Sequence, residues 1–246
     1  MPDASSTNAR LPILVTFSGI DGAGKSTQID KLCKRLAEAG LSVRQFTFWD
    51  NVVPFSRLRA AFSHRFLDSE GGIGAAGKPV NRNDKNVRTW YLSAARSALY
   101  LMDALSLRRS VTAARKCGSD VVIFDRYLYD QLAVLPLERT IGRQYARFLL
   151  SLVPTPNVAY LLDADPEAAR ARKPEYPIDF LRQYRANYLR LQTLAGLALI
   201  PPLTVEEAHD AIMQQFIERR PADSLKSSSG EFCTSGDTLV AHSSKQ

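Results

Sequence analysis

Apolar residues recur along this chain in two rhythms, and their alternation sets out a fold. Ile13 to Ser18 (ILVTFS) is a short uncharged, β-rich run, as expected of a strand covered on both faces. From Lys25 to Ala39 the apolar spacing becomes helical through Ile29, Leu32, Cys33 and Leu36, and Gly40 stands where a C-cap is expected. Ser42 to Trp49 predicts a second strand, Asp120 to Phe124 a third, Asn157 to Leu162 a fourth and Leu197 to Ile200 a weak fifth before Pro201-Pro202. Helical segments are predicted between them, around Glu138 to Leu152 and from Phe180 to Leu197. A last helix opens at Thr204, with Glu206 and Glu207 in its first turn, where the helix dipole favours anions.

The longest helical pattern runs from Asp84 to Cys117, with Gly118 just beyond it. Its stripe of Tyr91, Ala95, Ala98, Met102 and Leu105 is read as core packing. Residues 69–83 form a Gly-rich polar loop, a surface connection by default and a substrate-side flap as the alternative. Residues 1–11 are expected to be a flexible N-terminus. Residues 221–246, Ser-rich and poor in bulky apolar side chains, are expected to be a disordered tail around a domain of residues 12–220. Strands alternating with helices predict an α/β domain with a mostly parallel five-stranded sheet flanked by helices. Ligands of such sheets gather at the carboxyl ends of the strands. Gly19 to Ser26, Asp50 and Asn51, Asp125 and Arg126, and Asp163 all fall at such ends.

Composition narrows the partners. The 246 residues carry 32 Lys+Arg against 25 Asp+Glu, a formal charge of +7 that suits an anionic partner. No dense Lys/Arg block is present, which places phosphorylated small molecules ahead of nucleic acid. Cys33, Cys117 and Cys233 are widely spaced with no C-x-x-C pair, against a disulfide framework or zinc site and in keeping with a reducing compartment. The opening MPDASSTNARL has no apolar signal-peptide core, and Ser97 to Leu107 is too short to span a bilayer and contains Asp103. The expectation is a cytoplasmic protein without a membrane or nucleic-acid partner.

The chemistry is concentrated in FSGIDGAGKSTQ, residues 17–28. Gly19, Gly24, Lys25 and Ser26 match G-x-x-x-x-G-K-S/T between a strand and a helix, the context in which that pattern grips phosphate. Glycines let successive N–H groups turn inward onto phosphate oxygens, and the following helix aims its positive end at the same anion. The nucleotide-binding segment is therefore read as Gly19, Asp21, Gly22, Ala23, Gly24, Lys25, Ser26 and Thr27, with the Lys25 ammonium on the outer phosphates. Asp125 ends a buried strand, where its carboxylate can hold magnesium beside the Ser26 hydroxyl. Arg126 can fork onto phosphate, although an Asp125–Arg126 ion pair pinning the strand end is a common alternative. Arg170, Arg172 and Lys173, in a segment closed by Pro174 and Pro177, can be a cationic clamp or a solvated basic helix end.

These stretches together resemble the thymidylate kinase family of P-loop nucleoside monophosphate kinases. FSGIDGAGKSTQ is similar to that family's phosphate loop, WYLSAARSALY to its substrate-arginine helix, and GSDVVIFDRY to its Asp-Arg-Tyr/His strand end. YLLDADPEAARARK is similar to the approach to its lid, and FLRQYRANYLRLQ to the helix beyond. The resemblance covers most of residues 13–215. It implies a three-layer P-loop sandwich, ATP and Mg²⁺ as cofactors, and transfer of a phosphoryl group to a nucleoside monophosphate, dTMP giving dTDP. It further implies a homodimer through the long central helices. The roles it implies are Lys25, Asp125, Arg126, Arg170 and Arg172 in catalysis, Arg170 and Arg172 from a lid at about residues 168–178. It places Asp21, Asn51, Leu92, Arg96, Arg126 and Tyr176 on the acceptor, and Ser26 and Asp125 on the metal.

The ATP side matches the family pattern, and the acceptor side departs from it. Asn51 stands where the family usually has an arginine, Leu92 where an aromatic stacks on the base, and the lid is short and proline-rich. A kinase of the same family with another acceptor is therefore the alternative, followed by a non-catalytic nucleotide-binding module.

Overall fold

The computed structural model describes residues 11–48 and 90–219. Among them lie five strands and seven helices: β1 (Ile13–Ser18), α1 (Lys25–Glu38), β2 (Val43–Thr47), α2 (Trp90–Ala114), β3 (Val121–Asp125), α3 (Leu128–Leu132), α4 (Thr140–Leu152), β4 (Val158–Leu162), α5 (Pro166–Arg172), α6 (Ile178–Ala195), β5 (Ala198–Ile200) and α7 (Val205–Arg219). The strands form one sheet in the order β2-β3-β1-β4-β5, and every described pairing is parallel. A mostly parallel sheet was the expectation, and the described part of it is wholly so. Registers such as Phe17 opposite Asp125, Thr47 opposite Asp125 and Leu162 opposite Ile200 bring the carboxyl ends into one rim.

Side-chain alternation along each strand divides the core into two layers. Leu14, Val122, Phe124 and Leu161 face α2, α3, α4 and α6. Ile13, Val15, Phe17, Val121, Ile123, Val158 and Tyr160 face α1 and α7. Strands covered on both faces must read as near-continuous apolar runs, which explains ILVTFS and VVIF. Each fully buried Val, Leu, Ile or Phe stabilises the sandwich by roughly 1.5–3 kcal/mol. Local signals end the helices: the backbone N–H of Gly40, at φ 76°, donates to Ala37 O, and Gly196, at φ 67°, is the C-cap of α6. Thr204 and Glu207 close α7 reciprocally, the Thr204 N–H donating to the carboxylate and the Glu207 N–H to the Thr204 hydroxyl.

The long helix requires a correction. Its core face is not the stripe through Ala98, Met102 and Leu105, because Ala98 is exposed and Met102 and Leu105 are 45% and 42% exposed. The buried face carries Ala104, Leu107, Val111 and Ala114. Met102 and Ala104 lie about 200° apart around a helix. Both faces of α2 are apolar, so spacing alone cannot choose which one meets the sheet. Tyr127, which follows the Asp125–Arg126 pair, is fully buried, and its hydroxyl donates to Pro154 O at 2.6 Å. The expected N-terminal arm through Arg10, the ends of strand two at Trp49 and Asp50, the 69–83 loop and the 221–246 tail lie outside the described residues.

Gly142 supplies a test of the packing. It lies in the first turns of α4, where alanine is ordinarily favoured over glycine by about 1 kcal/mol. A Cβ there would stand 2.3 Å from Pro136 O. Gly142→Ala is therefore expected to destabilise the fold, by roughly 1–3 kcal/mol as overpacked cores do, measured as a lower urea midpoint. An unchanged or raised midpoint would contradict this packing.

Candidate functional site: a phosphate-loop cleft

The rim of strand ends opens into a cleft of about 690 Å³, lined by residues 21–28, Asp125, Arg126, 162–165, Ala168, Arg172, Lys173, 200–205 and Ala208. That volume is in the range of small-molecule sites. Its floor is the loop between β1 and α1. Here the backbone passes where no side chain fits: a Cβ on Gly19 would stand 2.4 Å from Leu162 O, and one on Gly22 would stand 2.4 Å from Ala169 O. The glycines thus seat the loop against β4 and against α5.

The first turn of α1 has no side-chain cap and no acidic residue, so its N–H groups and the helix dipole face the cleft uncompensated. Lys25, 7% exposed, donates from Nζ to Gly19 O at 2.8 Å and to Ile20 O at 2.9 Å. Burial, reinforced by the nearby Arg126 charge, lowers its pKa to about 8 against the opposing pull of Asp130, Asp21 and Asp125. Ser26 and Thr27 follow it, exposed, on the same turn.

Asp125 ends β3 beside this loop. Its Oδ1 is buried and has no hydrogen-bond partner, and burial raises its pKa despite attraction from Lys25 and Arg126. Arg126 does not pair with Asp125. Its backbone takes φ 68°, unique among described non-glycine residues and costing about 1–3 kcal/mol, while its N–H donates to Phe17 O at 2.9 Å. The guanidinium lies between two other carboxylates, one Nη on Asp21 and the other 3.3 Å from Asp130 Oδ1. Burial would raise the Asp21 pKa, but Arg126, Lys25 and Lys173 together hold it below the usual carboxylate range.

The remaining expected residues distribute as follows. Arg172 and Lys173 line the cleft, and Lys173 Nζ stands 4.0 Å from Asp21 and 3.3 Å from Glu175. Arg170 is exposed and is not part of the lining. Tyr176 packs against Phe180 at 5.1 Å between centroids, beside rather than in the lining. Arg96 is exposed on α2, Leu92 belongs to the same helix, and Asn51 lies outside the described residues.

Sequence reasoning missed three residues that organise the site. Asp130 accepts Ser18 Oγ at 2.6 Å, the Tyr127 N–H at 3.1 Å and the Tyr188 hydroxyl at 2.7 Å. Arg185 forks onto Asp163 with two bonds of 2.6 Å, tying α6 to the end of β4. Tyr188 carries a hydroxyl whose pKa burial and the Asp130 charge drive well above the usual phenol value. The available signal was spacing, since Asp130 follows Arg126 by four residues.

No family model matches the chain. A protein named probable thymidylate kinase from Pyrobaculum aerophilum is 26% identical over 219 residues, covering 83% of this chain and 96% of the relative. A thymidylate kinase from Chlorobium luteolum is 30% identical over 164 residues, 65% of this chain and 66% of that one. Among solved structures, thymidylate kinase from Candida albicans superposes with a TM-score of 0.56 at 16% identity, over 85% of this chain and 92% of the other.

The low Lys25 pKa generates a pH signature. Below about pH 8 the amine is charged with or without a bound polyphosphate, whereas above it the free protein holds a neutral amine that bound phosphate recharges. ATP binding is therefore expected to take up protons above about pH 8 and to weaken as the pH rises further. Calorimetry in buffers of different ionisation heat measures this. Lys25→Met should abolish the uptake, and buffer-independent enthalpies in the wild type would contradict it.

Proposed function

We propose, from the premise that this is a thymidylate kinase-like chain, that it transfers the γ-phosphoryl group of ATP to a nucleoside monophosphate, converting dTMP to dTDP. The observation that carries this reading is a phosphate loop set against the Asp125–Arg126 strand end, in a chain whose relatives over about four-fifths of its length are named thymidylate kinases. Phosphoryl transfer asks for positioning and charge neutralisation rather than covalent chemistry, and the cleft offers both.

On the donor side, the amides of Gly22, Gly24, Ser26 and Thr27 surround the ATP phosphates, with Gly19 and Ala23, whose N–H donates to Ile20 O at 3.2 Å, shaping the loop, and Lys25 turns from its loop carbonyls onto the outer phosphates. Ile200 to Val205, apolar enough for a flat base, also line the cleft, as does Arg172. Arg170 and Arg172 serve as the lid's cationic clamp, Arg172 with more support because it lines the cleft. The residues also fit magnesium: Asp125 has a buried oxygen without a partner, the Ser26 hydroxyl is exposed in the first turn of α1, and both are hard oxygen donors. Bound there with the phosphates, Mg²⁺ would screen their charge.

On the acceptor side, Asp21 receives the sugar hydroxyl and Arg126 the transferring phosphate, while Asn51, Leu92, Arg96 and Tyr176 belong to the nucleoside pocket. The chain works as a homodimer in the cytoplasm. Apolar exposure on α2 at Leu99, Met102 and Leu105, and on α4 at Ile141 (74%) and Phe148 (50%), supports the dimer. The two helices adjoin, the Tyr145 hydroxyl donating to Ser97 O at 2.6 Å. No helix among the described residues is long and apolar enough to cross a membrane.

A panel of nucleoside monophosphates and nucleosides, assayed with ATP and Mg²⁺, tests the reading. dTMP is expected to turn over, and Lys25→Ala to lower the rate by about 10²-fold or more with the fold retained. Turnover of another acceptor with dTMP inert would move the reading to the same chemistry on a different substrate. No turnover of any acceptor would leave a nucleotide-binding module.

A further inference from the structure

Arg126 is an unusual residue to find at a strand end. Its backbone occupies the left-handed region, which a long side chain adopts only where its surroundings hold it there. The guanidinium is largely buried, with 18% side-chain exposure, so it has lost most of its hydration and depends on fixed partners. Asp21, one partner, lines the cleft and can be drawn towards a ligand. Asp130, the other, is 1% exposed and lies behind it.

The surroundings of Asp130 differ from those of an ordinary helix cap. Its Oδ2 accepts from Ser18 Oγ at 2.6 Å and from the Tyr127 N–H at 3.1 Å, which fixes the carboxylate to the last residue of β1 and the first turn of α3. Its Oδ1 accepts from Tyr188 on α6 at 2.7 Å and faces Arg126 Nη1 at 3.3 Å. The Tyr184 hydroxyl donates to the Asp130 carbonyl at 2.7 Å. The carboxylate is therefore anchored from three elements and presents its remaining charge to one guanidinium.

We propose that Asp130 is a positioning residue for phosphoryl transfer: anchored by Ser18, Tyr127 and Tyr188, it holds the Arg126 guanidinium in the cleft while Asp21 is released to the acceptor. The inference rests on the phosphoryl-transfer reading for its consequence, and on the geometry alone for the contact. A carboxylate that only stapled the core would have no reason to influence Arg126. One that positions Arg126 must lose its effect on rate when Arg126 is removed.

A double-mutant cycle measures this directly. Asp130→Asn keeps the size of the side chain and removes its charge. It is expected to lower kcat by about 10- to 100-fold, as small misplacements of a reacting group do, with KM for ATP changed by less than about threefold. In an Arg126→Ala background the same substitution should lower kcat by less than about threefold further. Losses that multiply would overturn the proposal. Ser18→Ala, which removes one anchor and no charge, provides a milder second cycle should Asp130→Asn fail to fold. It is expected to cost a few-fold in kcat only when Arg126 is present, and an equal loss without Arg126 would overturn the proposal as well. Side-chain ¹⁵N NMR separates this inference from the reading beneath it. Restricted rotation of the Arg126 guanidinium in the free wild type should be loosened in Asp130→Asn, where Asp21 remains its charged partner, and less so in Ser18→Ala, whether or not any acceptor turns over. If the wild type turns over no acceptor while the signal keeps this dependence, phosphoryl transfer fails and the contact stands. A guanidinium equally mobile in wild type and variant overturns the contact.

Discussion

A guanidinium removed from water must be matched by fixed negative charge, and the placement of Arg126 between Asp21 and Asp130 meets that constraint. The rest of the site is arranged around it. The left-handed turn at Arg126 ends β3 and directs the chain into α3, which brings Asp130 back under the guanidinium one helical turn later. Asp130 is in turn held by Ser18 from β1 and Tyr188 from α6, so one buried carboxylate joins the central strand, the strand beside it and the helix leading away from the basic α5 segment. Removing either partner of such a pair strands the other, and the loss exceeds what the pair contributes over an apolar replacement.

The cleft as a whole is a compact arrangement of opposed charges. Asp21, Asp125 and Asp130 face Lys25 and Arg126, with Lys173 at the edge. In this setting an ammonium is held below its ordinary pKa by burial and a carboxyl above its own, as at Lys25 and Asp125. Such groups would respond strongly to a polyphosphate and its counter-cation, whose charges are little screened in a buried setting. The overall excess of positive charge suits an anionic ligand, and these few side chains concentrate charge in the cleft.

The features legible in the sequence were those carried by local pattern. Runs such as ILVTFS and VVIF had the unbroken apolar character of strands buried on both faces, and GAGKST between strand and helix marked the loop, so the sheet and its rim of strand ends could be read directly. The core face of α2 could not, because Leu99, Met102 and Leu105 are as apolar as Leu107 and Val111, and only the tertiary fold decides which set meets the sheet. Arg126 was legible as a site residue, but its partners were not. Asp125 is its neighbour in the chain, yet the strand geometry turns the two apart and selects Asp21, 105 residues away, and Asp130. Asp130 is marked only by its spacing of four from Arg126, and Tyr188 is one more residue of a predicted helix, so the contact between them across the fold has no local sign.

We propose that the phosphate loop receives a donor nucleotide and holds an acceptor beside Asp21 and Arg126, and amide NMR titration of the wild-type protein tests this. A non-hydrolysable ATP analogue with Mg²⁺ is predicted to shift the amides of Gly22 to Thr27 and of Leu203 to Ala208. dTMP added afterwards is predicted to shift Asp21, Arg126 and Arg96 while the first set stays saturated. Displacement of the ATP analogue by dTMP, or dTMP binding that leaves Asp21 and Arg126 unmoved, would contradict the account.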